Sequence, residues 1–317
     1  MKKKKRSFII ITSITITTSI TTNYWGYTST SAASGSGFII SDDGYILTNY
    51  HVIEDAVNDN TVEITVSFQN GQSFTAQLIG GEQSNDVAVL KINATGLQPV
   101  VLGDSDRLAV GQSVMVIGNP LGELTYTLTD GIVSALDRLI TTSMGTMNMF
   151  QTNCVINSGN SGGPVFNSYG EVVGIATAKS GGSSTTGTTV EGLGFAVPIN
   201  DVKSIIQDLI RYGYVTGKPY MGIQMQSVPQ DAQRYGVSAG AYVTAVASGS
   251  AAERAGLKEG DIIIAVDDTV VDSSSALSAA VSAYRAGDQA KLIVIRSNEK
   301  LELTIIFDEE NEQTVSA

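Results

Sequence analysis

Between residues 38 and 197 the chain is written as short apolar, β-branched runs separated by turn signals, without the amphipathic crossovers that a parallel α/β sheet needs. The first group of predicted strands covers residues 38–40, 45–48, 62–68, 74–79 and 87–92, and Asn70-Gly71 between two of them is a hairpin signal. Residues 93–111 read as a mostly irregular link. A second group follows at 113–117, 126–136, 150–154, 164–166, 172–176 and 194–197. Strands of this length and spacing predict a mainly β fold with a pair of antiparallel barrels.

The pattern then changes. Val202, Ile205, Ile206, Leu209 and Ile210 are spaced i, i+3, i+4, i+7 and i+8, which predicts a helix with one apolar face, capped by Asn200-Asp201 and stopped near Gly213. After a linker at 214–219, Ser250-Ala251-Ala252-Glu253 has capping-box spacing with Gly256 to end the helix. A second helix is expected over 275–284, before Gly287, and residues 301–305 alternate as a closing strand. The acidic run 308–312 reads as solvated tail.

Composition narrows the function classes. The net charge of −12 includes Lys2, Lys3, Lys4, Lys5 and Arg6, so the remaining chain holds 14 cations against 31 acids, a net of −17. An acidic body of this kind excludes a nucleic-acid footprint. Cys154 is the single cysteine, which excludes an intrachain disulfide and a cysteine metal cluster; its apolar neighbours Val155 and Ile156 mark it as a buried structural thiol. The single histidine, His51, makes a zinc site improbable.

The chemistry centres on Asn157-Ser158-Gly159-Asn160-Ser161-Gly162-Gly163-Pro164. Glycines on both sides of Ser161 let the backbone turn sharply and a substrate come close. A serine hydroxyl becomes a nucleophile only when a base takes its proton and an acid orients that base. His51, after the strand 45–48, and Asp86, opening the strand 87–92, are the candidates. Each motif alone also reads as a glycine-rich turn or a strand-end histidine.

Together, Gly35-Ser36-Gly37-Phe38, Thr48-Asn49-Tyr50-His51-Val52, Asn85-Asp86-Val87-Ala88-Val89-Leu90 and Gly159-Asn160-Ser161-Gly162-Gly163-Pro164 resemble the HtrA family of trypsin-like serine proteases. The order His51, Asp86, Ser161 is that of chymotrypsin-like enzymes. The resemblance runs from about Gly35 almost to the end of the chain. It implies a chymotrypsin-like double barrel over residues 24–213, the linker 214–219, a β-rich α+β PDZ domain over 220–308 and an acidic tail at 309–317. It also implies an ATP-independent endopeptidase acting on unfolded or damaged proteins without a cofactor. Its catalytic residues would be His51, Asp86 and Ser161, with the N–H groups of Gly159 and Ser161 as the oxyanion hole. Val155 and Phe195 are the candidate specificity-pocket residues. Tyr220-Met221-Gly222-Ile223 would bind hydrophobic C-terminal peptides, with Leu277, Val281 and Tyr284 of the second helix as its apolar wall or as ordinary core residues. A chaperone or scaffold with an idle protease site is the alternative.

Three further expectations follow, the first two from the resemblance and the third from the N-terminal residues themselves. Tyr24, Trp25 and Tyr27 are candidates for a homotrimer interface, or ordinary barrel aromatics. Asn160, uncharged where the wider trypsin group has an acid, points to activation by loop ordering, with loops at 119–125, 141–148 and 179–191 as candidates. Residues 1–23 join a basic tip to Phe8-Ile9-Ile10-Ile11, so an export or membrane-anchor signal overlapping a first strand at Ile14-Thr15-Ile16-Thr17 is expected, with a trimmed gene start as the alternative. An extracytoplasmic, cell-envelope location follows. The chain departs from the family at Thr152-Asn153-Cys154, commonly Thr-Asp-Ala, and at Ser158, commonly Pro.

Overall fold

Alternation along β1 (Ile11–Thr17) sends Ile14 and Ile16 to one face, where both are fully buried, and Ser13 to the other. The computed structural model describes residues 11–17, 21–22, 28–29, 32–59, 62–119, 127–142, 144–157, 159–177 and 193–310. Within them β1, β2 (Ala32–Ile39), β3 (Tyr45–Thr48), β4 (Glu63–Phe68), β5 (Ser73–Glu82) and β6 (Val87–Ile92) form a closed barrel in the order β1-β2-β3-β6-β5-β4. Ile14, Ile16, Ile39, Ile46, Val66, Leu90 and Ile92 fill it. Each such side chain contributes about 1.5–3 kcal/mol on burial. The stretch expected to mix signal and strand is therefore a barrel strand from Ile11 to Thr17. Residues 1–10 and the aromatics Tyr24, Trp25 and Tyr27 lie outside the described residues. Among the described residues no helix is long and apolar enough to cross a membrane.

The sequence pattern missed the helix α1 (Tyr50–Asn58), so His51 stands in a first helical turn rather than at a strand end. Val52 and Ile53 are buried and Ala56 packs on the same core, but a helix this short, running on from the apolar strand β3, blends with it in a one-dimensional reading.

The second barrel comprises β7 (Ser113–Gly118), β8 (Thr127–Thr142), β9 (Gly145–Thr152), β10 (Pro164–Asn167), β11 (Glu171–Thr177) and β12 (Gly194–Pro198). Its order is β10-β7-β8-β9-β12-β11, and pairing of β10 with β11 closes the ring. Segment 141–148, expected as a loop, is instead the tip of the β8–β9 hairpin, where Thr141 pairs with Thr146 and Thr142 with Gly145. Of the other two loop candidates, 120–125 and 179–191 lie outside the described residues.

Helix α2 (Ile199–Tyr212) buries Val202, Ile206 and Leu209, and Gly213 ends it in the left-handed conformation, φ +84°, that glycine adopts without strain. The expected cap is displaced. Pro198 occupies the N-cap position, while Asn200 sits inside the helix and donates from Nδ2 to Asp104 Oδ1 at 2.7 Å. That bond ties the link before β7 to the helix.

Residues 214–310 belong to a second compact unit. Its main sheet runs β13 (Ile223–Ser227), β14 (Ala241–Val246), β15 (Ile262–Val266), β16 (Gln289–Arg296) and β17 (Glu299–Ile306), with β13 and β17 at the edges. Helix α3 (Ala251–Ala255) has the expected cap: Ser250 Oγ accepts from Glu253 N–H at 3.2 Å, and Glu253 reaches back to the N–H of Gly249 at 2.7 Å. Helix α4 (Ser274–Val281) packs against β13 and β14 and buries Leu277 completely.

Asp308 and Glu309, which open the acidic run after β17, are not free tail. Asp308 accepts from Ala251 N–H at 2.7 Å and from Arg254 at 2.6 Å, and Asp308 and Glu309 pair with Tyr220 and Pro219. Asp308 faces the N-terminus of α3, where exposed amides favour a carboxylate.

Candidate active site

His51 and Asp86 come together from α1 and from the turn between β5 and β6. The His51 Nδ1 atom lies 2.9 Å from Asp86 Oδ2 and 3.0 Å from Oδ1, and the His51 backbone N–H donates to Oδ1 at 3.0 Å. Because an ionised carboxylate only accepts, the contact assigns the proton to Nδ1 and leaves Nε2 as the acceptor. Asp86 is 2% exposed and the His51 side chain 29%, so the imidazole reaches solvent and the acid does not. Asp86 itself is in the left-handed region at φ +48°, a conformation that costs a residue other than glycine on the order of 1 kcal/mol.

Ser161 lies in the loop between β9 and β10 and is 5% exposed. Its carbonyl accepts from Ser36 N–H at 2.7 Å. Gly35 is packed between Val52, the residue after His51, and the Ser161 carbonyl: an added Cβ would come within 2.6 Å of Val52 and 3.2 Å of that oxygen. Gly162 is tighter still. At φ +83°, its Cβ would lie 2.2 Å from Ser36 O and 2.3 Å from Thr48 Oγ1, so both the turn and the close approach require glycine. The serine loop therefore lies against the N-terminal end of α1, where His51 stands.

Ser36 anchors this junction. Its hydroxyl donates to Gly159 O at 2.6 Å and accepts from Asn119 N–H at 2.8 Å, while Asn119 Nδ2 donates to Ser13 Oγ at 2.6 Å. Strands of the first barrel thus hold the serine loop of the second. In that loop the amides of Asn160 and Gly162 bond to Asn157 O and Ala176 O. Gly159 has φ +98°.

Val155 is 55% exposed, and its carbonyl accepts from Thr129 Oγ1 at 3.1 Å and Asn160 Nδ2 at 3.3 Å; Phe195 is 7% exposed on β12. Asn160, 1% exposed, thus orients the Val155 backbone rather than forming an ion pair. Where the sequence departs from the resembled motif, Asn153 Oδ1 accepts from Ile132 N–H at 2.7 Å. Cys154 is 1% exposed, and burial first of all pushes its thiol above the usual range, which keeps it neutral and inert. Ser158 lies outside the described residues.

In the second unit, Met221 is buried and its carbonyl accepts from Ala252 N–H at 2.9 Å, while Gly222 O accepts from Ala247 N–H at 2.9 Å. The loop Tyr220–Ile223 therefore packs on the α3 turn and leads into the edge strand β13. Leu277 is a core residue, whereas Val281 and Tyr284 pack at the margin of that core. Among the described residues no group of His, Cys, Asp and Glu is placed to hold a metal ion.

Comparison with known proteins agrees with this division. Residues 35–175 match the family described as trypsin-like peptidase domain, and residues 219–307 match the PDZ domain family. A "Probable periplasmic serine endoprotease DegP-like" of Halomonas elongata is 40% identical over 286 residues, 88% of this chain and 57% of that protein. "Serine protease Do-like HtrA" of Bacillus subtilis is 38% identical over 305 residues, 90% of this chain and 66% of its own. The Lactobacillus helveticus protein of the same name is 35% identical and is covered to 68%. The chain thus spans between about half and two thirds of the length of these curated relatives. Among solved structures, "HtrA-type protease AlgW with decapeptide" superposes with a TM-score of 0.64 at 29% identity, covering 96% of both chains. The serine endoprotease from Yersinia pestis gives 0.61 at 33%, covering 94% of both.

Proposed function

The chain belongs to the HtrA family of serine proteases, and from that membership we propose that it is an ATP-independent endopeptidase of unfolded or damaged proteins. The observation that carries the proposal is the contact of His51 Nδ1 with both oxygens of buried Asp86, on a helix whose start is packed against the Ser161 loop. In this reading His51 takes the Ser161 proton as the hydroxyl attacks a peptide carbonyl, then delivers it to the leaving amine. Asp86 holds the Nδ1–H tautomer and stabilises the imidazolium. The N–H groups of Gly159 and Ser161 receive the developing oxyanion. The chain's own residues supply every step, so no cofactor enters. A scaffold with an idle site would have no use for a fully buried acid aimed at the single histidine. Incubation with a serine-directed aryl phosphonate tests the proposal: one adduct, on Ser161, is expected, and absence of labelling would refute it.

Cleavage after small aliphatic residues is expected, with Val or Ala preferred to Lys or Arg. Val155 stands where trypsin-like pockets for basic residues carry a carboxylate, and a lysine there would lose water without gaining a partner. Profiling a peptide library checks this; dominant cleavage after Arg is the result that overturns it.

The second unit is proposed to bind hydrophobic C-termini. The edge strand β13 can take an added strand beside α4, with the terminal carboxylate at Tyr220, Met221, Gly222 and Ile223. A bound peptide should then raise turnover of a short chromogenic substrate, which gains nothing from tethering. A tenfold rise corresponds to about 1.4 kcal/mol of coupling. Unchanged turnover at saturating peptide would leave only a tethering role. Homotrimeric assembly and an extracytoplasmic location complete the proposal, the latter supported by relatives named as periplasmic.

A further inference from the structure

We propose that Asn49 is a positioning residue, which holds the backbone of Asp86 and ties it across the barrels to Thr177, so that the aim of the acid at His51 depends on the second barrel. This rests on the reading of His51, Asp86 and Ser161 as a triad. Asn49 is the N-cap residue of α1, a place where asparagine ordinarily accepts from an amide of the first turn, yet its side chain makes no cap bond. It is fully buried instead, and its Nδ2 donates to Asp86 O at 2.7 Å and to Thr177 Oγ1 at 3.3 Å. The direction is forced by chemistry: Asp86 O can only accept, so the opposite amide orientation would set two acceptors against each other. Its own Oδ1 has no hydrogen-bond partner among the described residues, so the side chain is committed to its two donations.

The two ends of Asp86 are therefore gripped from positions two apart in one segment. Asn49 holds the carbonyl through its side chain, and the backbone N–H of His51 holds the carboxylate. A residue other than glycine at φ +48° keeps that conformation only where the surrounding bonds hold it. Thr177, 2% exposed, is the last residue of β11 and belongs to the other barrel. The Asn49 amide is the bond by which that strand reaches the acid's own peptide.

Serine separates positioning from capping. It caps a helix as well as asparagine does, but is too short to reach Asp86 O. Asn49→Ser should therefore keep the fold, checked by circular dichroism, and lower kcat on a chromogenic peptide about 10- to 100-fold while KM stays within about twofold. Thr177→Val, of equal shape but without the hydroxyl, should lower kcat less, and the double variant no further than Asn49→Ser alone. His51 is the only histidine, so its Nδ1–H resonance in untagged, ¹⁵N-histidine-labelled full-length protein is unambiguous. It should move upfield in Asn49→Ser. Wild-type kcat with an unmoved resonance in folded Asn49→Ser overturns the inference, as do additive effects of the two substitutions. If wild type itself takes no phosphonate label, the protease reading fails, and the resonance still decides whether Asn49 orients the Asp86–His51 pair.

Discussion

Ser161→Ala should lower the kcat for casein hydrolysis by roughly 10⁶-fold and abolish phosphonate labelling, with circular dichroism and C-terminal peptide binding unchanged. The substitution removes one oxygen from a loop whose position is set by other atoms: the Ser161 carbonyl bonded to Ser36 N–H, the Gly159 carbonyl bonded to Ser36 Oγ, and the Gly162 backbone packed against Thr48. His51→Ala should cost nearly as much, and the double variant little more, because the residues of a triad act as one unit. Asp86→Asn should cost about 10⁴-fold, since an amide in place of the carboxylate reverses which ring nitrogen carries the proton. Initial rates of the four variants against wild type decide the matter. Casein hydrolysis by Ser161→Ala at the wild-type rate would overturn the assignment.

Arg296→Met should destabilise the second unit by about 3–5 kcal/mol, the cost of leaving a buried carboxylate without its counter-charge. Asp261 is fully buried, and Arg296 grips it with two parallel bonds, Nε to Oδ1 and Nη2 to Oδ2, both 2.7 Å. The same Nη2 donates to Gly256 O at the end of α3, and Asp261 Oδ2 accepts from Lys258 N–H at 2.9 Å. Bidentate geometry and the extra bonds make this pair stronger than an exposed ion pair. The guanidinium is raised further above its already high value by the Asp261 hydrogen bond, so the pair persists to the alkaline limit of any folding experiment. Hydrogen exchange of the amides of the second unit, followed in the full chain across a urea series, measures the loss. The double variant Asp261→Asn/Arg296→Met should recover most of it, because the buried charge is gone. Equal stability of Arg296→Met and wild type would show the pair to be energetically idle.

The two cases differ in how far they could be foreseen. His51, Asp86 and Ser161 could be singled out as candidates from the sequence because each stands in a short motif, in the chain order of a known solution. The Asn70-Gly71 hairpin, the stop of α2 at Gly213 and the cap of α3 at Ser250 were legible because the bonds involved close within a few residues. Local chemistry of that kind is written locally. The Asp261–Arg296 pair joins residues 35 apart, and no pattern in the sequence announces it.

The same distinction runs through the whole chain. Period-two alternation told which face of β1 is apolar, but not that it would close a barrel between β2 and β4, since alternation fixes a strand's faces and says nothing of its partners. Acidity made 308–310 look like tail, whereas Asp308 completes the start of α3 from 57 residues away. Asn49 read as part of a motif around His51, and its amide proved to serve Asp86 and Thr177, which belong to two different barrels. The sequence by itself determined most kinds of element, the candidate residues and the family. The tertiary structure alone decided which polar groups share a buried site, because a buried donor must find its acceptor wherever the packing of apolar faces happens to place one.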